Sequence, residues 1–268
     1  MVEQRISHLS FSQICHSGQC FRMRECRDGV FEVIAGNRRL EVRQDGERCI
    51  FDCTQEVFDS FWKNYFDLDT DYSRYLERIN PRDQYLVQAA AAGWGVRILR
   101  QDLWEMIVTF LISQQNNITR IRRCVENICE KYGQRCEDEN GVVYYGFPEP
   151  QALAGLDENA LMECNLGYRS KYVVRTAKRI ASGDFDLEAV KAMSYSQAKP
   201  CLMTLFGVGE KVADCICLFS LHQLQAFPVD THIRQVLDIH YKRGFPNRRY
   251  RGIQGVMQQY IFYYELEK

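Results

Sequence analysis

Hydrophobic and polar positions alternate with a period of two through the N-terminal part of the chain, in short segments separated by turn-forming residues. The segments are Phe21–Cys26, Gly29–Ala35, Asn37–Arg43 and Glu47–Cys53. Such alternation is typical of strands with one buried face, and the Asp-Gly and Gly-Asn pairs between the segments favour tight turns. The pattern predicts an antiparallel β-meander.

After Thr54 the period becomes helical, in Phe58–Phe66 and in Asp71–Ile79, before a break at Asn80-Pro81. Asp102 then precedes a ten-residue run, Leu103–Ile112, that is apolar on nearly every side. An aspartate in that position is a favourable N-cap, and a helix that is apolar all round belongs in a core. The chain therefore continues as an all-helical region.

The stretch from Tyr195 to Tyr241 predicts two helices joined by a glycine hairpin. Ser196 and Pro200 suit the first turn of the first helix, and Gly207 and Gly209 interrupt it. The second helix is indicated by apolar residues at helical spacing, namely Val212, Cys215, Ile216 and Phe219. Glycines at a helix N-terminus let backbone N–H groups approach an anion, and a nucleic-acid phosphate fits this description.

Two residues beside the hairpin suggest chemistry. Lys211 falls in the first turn of the second helix, where the positive end of the helix dipole and burial both favour a neutral, nucleophilic amine. Asp230 follows Phe-Pro-Val and precedes an apolar helical pattern, so we expect it to be an N-cap held ionised by backbone N–H donors. Such a carboxylate can stabilise a sugar cation.

These segments, Leu-Phe-Gly-Val-Gly-Glu-Lys-Val-Ala-Asp-Cys-Ile-Cys-Leu and Pro-Val-Asp-Thr-His, resemble the 8-oxoguanine DNA glycosylase/AP lyase family of helix-hairpin-helix DNA glycosylases. The resemblance extends from Ser17 to Phe262. It implies an α+β protein, with an N-terminal antiparallel β domain and flanking helices at residues 1–95 packed on helical domains at residues 96–268. The implied activity is excision of 8-oxoguanine paired with cytosine from duplex DNA, followed by strand cleavage. Lys211 would form the Schiff base and Asp230 would support the cationic sugar.

The same resemblance assigns a base pocket. Gly18, in Ser-Gly-Gln-Cys-Phe-Arg, fits a strand-leading turn equally well from local sequence alone, but the resemblance implies that its carbonyl accepts a hydrogen bond from N7–H of the lesion. Gln258 and Phe262 are four residues apart on one helix face. Ordinary packing also explains the phenylalanine, whereas the resemblance places Gln258 on the Watson–Crick edge of the extruded base and Phe262 on its face. Cys215 would cover the opposite face, although a cysteine on an apolar helix is usually a core residue.

Contacts to the duplex are implied on several loops. The amide-rich segment Ser113–Asn117 separates two helices and fits an ordinary loop as well as a filler for the gap that a displaced nucleotide leaves. With the resemblance, Gln115 or Asn116 fills the gap. The remaining implied contacts are Arg120 and Arg169 to the orphaned cytosine, Tyr168 as a wedge in the base stack, and Gly207, Gly209 and His232 to phosphates.

Composition constrains the cofactors. The twelve cysteines come without a signal peptide or paired Cys-x-x-Cys motifs, and none follows Cys217, so we expect reduced thiols, no iron–sulfur cluster and no zinc. A structural cation at the hairpin is compatible with the sequence.

Charge alone supports DNA binding only weakly, because the formal net charge is −1 and basic clusters are usually solvated helix faces. No apolar run is long enough to span a bilayer. We expect an intracellular monomer, in the cytoplasm or nucleoid, or in the nucleus of a eukaryote.

Two other functions are compatible with the hairpin. One is a glycosylase of the same superfamily that acts on another damaged purine, such as an alkylated one. The other is a non-catalytic helix-hairpin-helix module that only holds DNA, which would not need Lys211 and Asp230 together.

Overall fold

The computed structural model describes residues 1–268 and begins with a five-stranded antiparallel sheet of order β1-β5-β4-β3-β2. Its strands are β1 (Val2–Arg5), β2 (Met23–Arg27), β3 (Val30–Ala35), β4 (Arg38–Asp45) and β5 (Arg48–Phe51). The predicted meander is confirmed as β2 to β5. The sequence analysis missed β1, which pairs with β5 in the register Val2 to Phe51, and a short helix, α1 (Phe11–His16).

One face of this sheet is covered by helical segments. These are α1, α2 (Gln55–Val57), a π-helical segment (Phe58–Trp62) and α3 (Lys63–Tyr65). Their aromatic residues enter a 19-residue hydrophobic cluster with the sheet, in which Phe11 and Phe66 meet edge to face at 5.1 Å between ring centroids. The N-terminal part of the chain therefore has a core of its own.

The remainder is helical apart from one two-stranded hairpin. The elements are α4 (Ser73–Glu77), α5 (Gln84–Ala92), α6 (Leu103–Ser113), α7 (Ile118–Tyr132), β6 (Arg135–Glu137), β7 (Val143–Tyr145), α8 (Pro150–Ala154), 3-10 turns at Ala160–Cys164 and Gly167–Arg169, α9 (Ser170–Ala181), α10 (Leu187–Lys191), α11 (Tyr195–Leu202), α12 (Glu210–Phe219), α13 (Thr231–His240) and α14 (Gln254–Leu266). The β6–β7 hairpin was not predicted.

The helical region is built around α6. Residues Leu103–Ile112 are all buried, and the predicted N-cap is confirmed because Asp102 accepts a hydrogen bond from the Glu105 backbone N–H at 2.9 Å. This helix lies within a 52-residue hydrophobic cluster that also contains the buried faces of α9, α12 and α14. The position of α6 fixes the loop that follows it at the surface.

The first turn of α11 contains Ser196, as predicted, but not Pro200. Ser194 caps this helix in a capping box with Gln197, and Pro200 lies inside the helix rather than in its first turn. The Gln197 side chain accepts from the Ser194 N–H at 3.1 Å, which fixes the helix start.

None of the helices combines the length and the apolar character needed to cross a membrane.

Candidate active site

The hairpin between α11 and α12 has the geometry that its glycines suggested. Gly207 has φ +90°, and a Cβ on this residue would stand 2.8 Å from the ring of Tyr172. Gly209 is the N-cap of α12, with no side chain satisfying the first N–H groups. The hairpin therefore leaves an uncapped helix N-terminus for an anion.

Lys211 and Asp230 line the same two adjoining cavities. Lys211 is half-buried in the first turn of α12, and its Nζ lies 5.4 Å from the centroid of the Phe110 ring. Asp230 caps α13, where its Oδ1 accepts from the Ile233 backbone N–H at 2.9 Å. An amine and an oriented carboxylate thus share one space.

Phe110 is a wall of the site that the sequence did not single out. It belongs to the buried helix α6, lines both cavities and stacks on Phe219 at 5.6 Å. Because α6 is apolar on every side, its hydrophobic pattern carries no signal for which residue faces a site.

The smaller cavity brings the predicted base-binding residues together. Gly18, Cys215, Gln258 and Phe262 all line it beside Lys211 and Asp230, and its volume is about 30 Å³. A cavity of that size can hold a water molecule but is far too small for a purine. The base pocket is therefore assembled but closed in this structure.

An amide network holds the floor of this pocket. Gln258 donates from Nε2 to the Pro228 carbonyl at 3.1 Å, and its Oε1 accepts from Gln259 Nε2 at 3.3 Å. Gln19 Nε2 reaches Gln259 Oε1 at 3.5 Å, while Gln19 Oε1 accepts from the Leu99 N–H at 2.9 Å. The residue next to Gly18 is thus tied to the C-terminal helix.

The sequence analysis missed Gln19 and Gln259 as positioning residues. The available signal was a pair of adjacent glutamines in an otherwise apolar helix.

Cys215 is buried at the base pocket, and burial raises the pKa of its thiol to about 11. The sulfur is therefore protonated near neutral pH. A protonated thiol presents an apolar surface to the pocket and is a poor nucleophile.

The larger cavity has a volume of about 740 Å³ and extends from the base pocket along the amide-rich segment Ser113–Asn117, the amide loop. Thr231 and His232 also line it. Gln115 is exposed with φ +48°, whereas Asn116 is half-buried and donates from Nδ2 to the Ile112 carbonyl at 3.0 Å. Of the two predicted gap fillers, Gln115 therefore has the freer amide.

The predicted duplex contacts Arg120, Tyr168 and His232 are at the surface. Arg120 is exposed and donates to the Asn165 carbonyl at 3.2 Å, and Tyr168 is 46% exposed. The exposed His232 lies edge-on to Phe262 at 6.1 Å between ring centroids. All three side chains are accessible to a duplex.

Arg169 is held by backbone carbonyls of the loop that follows α6 and of Leu166. Its side chain is buried, and the guanidinium donates to the backbone carbonyls of Gln114 at 2.8 Å, Gln115 at 2.9 Å and Leu166 at 3.3 Å. The contact with an orphaned cytosine that the resemblance implies for Arg169 stays a prediction, because the structure shows only the contacts of Arg169 within the chain. Arg169 stabilises the loop after α6 through its hydrogen bonds to the carbonyls of Gln114 and Gln115.

Clustered metal-ligating side chains and a further cavity were the other features that could have indicated a site. No three His, Cys, Asp or Glu side chains converge in a way that could hold a metal ion. A cavity of about 1000 Å³ lies elsewhere and is lined by none of the predicted site residues.

Family models cover most of the chain. Residues 1–107 match the N-terminal domain of 8-oxoguanine DNA glycosylase, and residues 108–247 match the HhH-GPD superfamily of base excision DNA repair proteins.

Individual relatives agree with these models. The N-glycosylase/DNA lyase of Saccharomyces cerevisiae is 31% identical over 220 residues, covering 75% of this chain and 58% of the yeast protein. The probable N-glycosylase/DNA lyase of Methanothermobacter thermautotrophicus is 31% identical over 224 residues, covering 74% of this chain and 69% of the relative. The chain thus spans little more than half of the yeast protein.

Solved structures show the same fold. Clostridium acetobutylicum 8-oxoguanine glycosylase/lyase, bound to double-stranded DNA with cytosine opposite 8-oxoG, superposes with a TM-score of 0.93 at 34% identity, covering 99% of this chain and 97% of the other. The chain therefore belongs to the 8-oxoguanine DNA glycosylase family of the HhH-GPD superfamily.

Proposed function

We propose that this protein excises 8-oxoguanine paired with cytosine from duplex DNA and then cleaves the strand as an AP lyase. The observation that carries the proposal is the convergence of Lys211 and Asp230 on the cavity that Gly18, Gln258 and Phe262 line. The relatives named N-glycosylase/DNA lyase and the Clostridium complex with 8-oxoG DNA support it.

The lesion must leave the base stack, because its glycosidic carbon cannot be reached inside a duplex. In the extruded state the base lies between Phe262 and Cys215, with Gln258 at its Watson–Crick edge. The Gly18 carbonyl accepts from N7–H, a donor that guanine lacks. Stacking binds any purine, so this polar contact carries the discrimination.

Lys211 performs the chemistry. After the Lys211 ammonium has given up a proton, its Nζ attacks C1′, the bond from C1′ to the base breaks, and the departing base takes up a proton. Opening of the C1′–O4′ bond then gives a Schiff base between C1′ and Nζ. Asp230 stabilises the positive charge that develops on the sugar.

The lyase step follows from the Schiff base. Loss of a C2′ proton supplies the electron pair that expels the 3′ phosphate, which breaks the C3′–O bond. Water hydrolyses the remaining imine and releases Lys211.

Surrounding residues hold the distorted duplex. The N–H groups at Gly207 and Gly209 bind a phosphate, and a structural cation can assist there. We assign another phosphate to His232, the gap to Gln115, the wedge to Tyr168 and the orphaned cytosine to Arg120. No iron–sulfur cluster or zinc takes part, and the protein acts as a monomer on the DNA inside the cell.

Borohydride trapping tests the nucleophile. With 8-oxoguanine duplex the parent protein should form a covalent DNA adduct that Lys211→Gln lacks. Lys191→Gln, which removes an exposed lysine paired with Glu188 at 2.7 Å, is the matched control and should trap normally. An adduct that persists in Lys211→Gln would exclude this nucleophile.

A second candidate is a glycosylase for alkylated purines. The observation in its favour is the similarity of this chain to a DNA-3-methyladenine glycosylase of Bacillus subtilis, which is 25% identical over 209 residues. Side-by-side excision assays with 8-oxoguanine and 3-methyladenine duplexes separate the two, and preferential release of 3-methyladenine would overturn the main proposal. A protein that binds DNA but releases neither base would be the non-catalytic module.

A further inference from the structure

Three aromatic side chains form a continuous row on the surface between the wedge residue and the hairpin. Tyr168 meets Tyr172 edge to face at 5.7 Å between ring centroids, and Tyr172 meets Phe206 in the same way at 5.2 Å. We call these three residues the aromatic ridge. It joins α9 to the tip of the α11–α12 hairpin.

The two ends of the aromatic ridge are open to solvent. Tyr168 is 46% exposed and Phe206 is 42% exposed. Phe206 precedes Gly207, whose missing side chain lets the hairpin backbone approach the Tyr172 ring. Tyr172 packs on the helical core between them, whereas the apolar faces of Tyr168 and Phe206 remain largely open to solvent.

Each ring of the aromatic ridge has a cation against it. Arg169 Cζ lies 4.5 Å from the Tyr168 centroid, Lys171 Nζ lies 5.7 Å from that of Tyr172, and Arg175 Cζ lies 4.5 Å from that of Phe206. Arg175 is paired with Glu158 at 2.8 Å, whereas Lys171 has no carboxylate within 4.0 Å. Apolar faces interleaved with positive charge suit a polyanion that also presents apolar surface.

We propose that the aromatic ridge is a DNA-binding surface and that Phe206 packs against the deoxyribose of the nucleotide whose phosphate the hairpin binds. This inference rests on the proposed function. Phe206 is one residue from Gly207, so an anion held at the α12 N-terminus brings the adjoining sugar to this ring. Bases in a duplex are stacked, so a sugar is the apolar group that an exposed aromatic beside a phosphate site meets first. Lys171 neutralises a neighbouring phosphate.

Equilibrium binding tests the proposal without requiring excision. Affinity for a lesion-free duplex should fall about tenfold in Phe206→Ala, and the slope of log K against log salt should stay as in the parent because no ion pair is lost. Lys171→Gln should instead lower the slope by about 0.9, the value for one phosphate. Trp94→Ala removes another aromatic, 43% exposed and outside the ridge, and should bind as the parent does.

A photo-crosslinker separates contact from folding. With benzoylphenylalanine in place of Phe206, irradiation with labelled duplex should give a crosslink to one strand, and the same replacement of Trp94 should give none. Parent-like affinity of a folded Phe206→Ala, or no crosslink from position 206 under saturating duplex, would overturn the inference. A crosslink from position 206, together with a parent protein that binds duplex but excises no lesion, would refute the proposed function alone.

Discussion

The ring of Phe262 lies directly against Gly18, so that a Cβ added to Gly18 would stand 2.8 Å from Phe262 Cε1. This contact closes the base pocket to about 30 Å³. Phe262 also lines the adjoining cavity of about 740 Å³, which gives its ring space to turn away from Gly18. Rotation of the Phe262 ring away from Gly18 would widen the base pocket toward this larger cavity.

Gly18→Ala should reduce single-turnover excision of 8-oxoguanine at least tenfold. The new methyl group would occupy the space that the base edge needs beside the Gly18 carbonyl. The residue also has φ +70°, where any L side chain costs about 1–2 kcal/mol. Quenched-flow excision at saturating enzyme, together with thermal unfolding, measures both effects.

Gly183→Ala is the matched control for this change. Gly183 has φ +83°, and a Cβ there would meet nothing within 4 Å. It should lose a similar amount of stability while retaining the parent excision rate. Equal loss of excision in both variants would attribute the effect to backbone strain and not to the pocket.

The sequence could predict which residues meet at the site but not the closed pocket. Lys211 and Asp230 belong to local patterns, a helix start and a helix cap, that are readable within a few residues. The state of the pocket depends on the rotamer of Phe262. The link from Gln19 to Gln259 joins residues 240 positions apart, and no local pattern records it.

Arg169 illustrates a similar limit. The resemblance implied a contact with DNA for this residue, and no sequence pattern indicated that the carbonyls of Gln114, Gln115 and Leu166 accept hydrogen bonds from its guanidinium. Burying a carbonyl without a hydrogen-bond donor costs about 1–3 kcal/mol of stability, so these carbonyls favour a buried donor. Two of them belong to Gln114 and Gln115, and the sequence of that loop does not indicate that its carbonyls accept from a distant arginine.

Arg169→Ala should therefore weaken binding to lesion duplexes by the same factor whether cytosine or adenine lies opposite, because the guanidinium acts through the amide loop. Arg120→Ala should instead change the ratio between the two opposite bases. Equilibrium titrations in the Lys211→Gln background avoid turnover. A change in the ratio for Arg169→Ala as large as that for Arg120→Ala would mean that Arg169 leaves the loop and contacts the base.

Short elements were also missed. The strand β1 has four residues, and its pairing with β5 is fixed only by the folded sheet. The strands of the β6–β7 hairpin have three residues each, too few to show a period of two. The long alternating segments and the largely apolar helix α6 were predictable because their patterns repeat over many residues.

A buried carboxyl group in α6 makes stability depend on pH. Burial raises the pKa of Glu105 to about 7, and the attraction of Arg22, whose Nη1 lies 3.9 Å from Glu105 Oε2, opposes this increase only in part. The unfolded chain has the ordinary value of 4.5. Between these values the folded protein binds the proton more tightly, so this group lowers the free energy of unfolding as the pH rises.

Glu105→Gln should remove that contribution while keeping the shape of the side chain. We expect the free energy of unfolding of the parent, relative to the variant, to fall by up to about 1.4 kcal/mol for each pH unit between pH 5 and 7 and to level off above. Urea denaturation of both proteins across this range measures the difference, and the exposed Glu130→Gln should track the parent throughout. Parallel curves for the parent and Glu105→Gln would mean that Arg22 keeps Glu105 ionised in the folded protein, and that this pair, not burial, controls the carboxyl group.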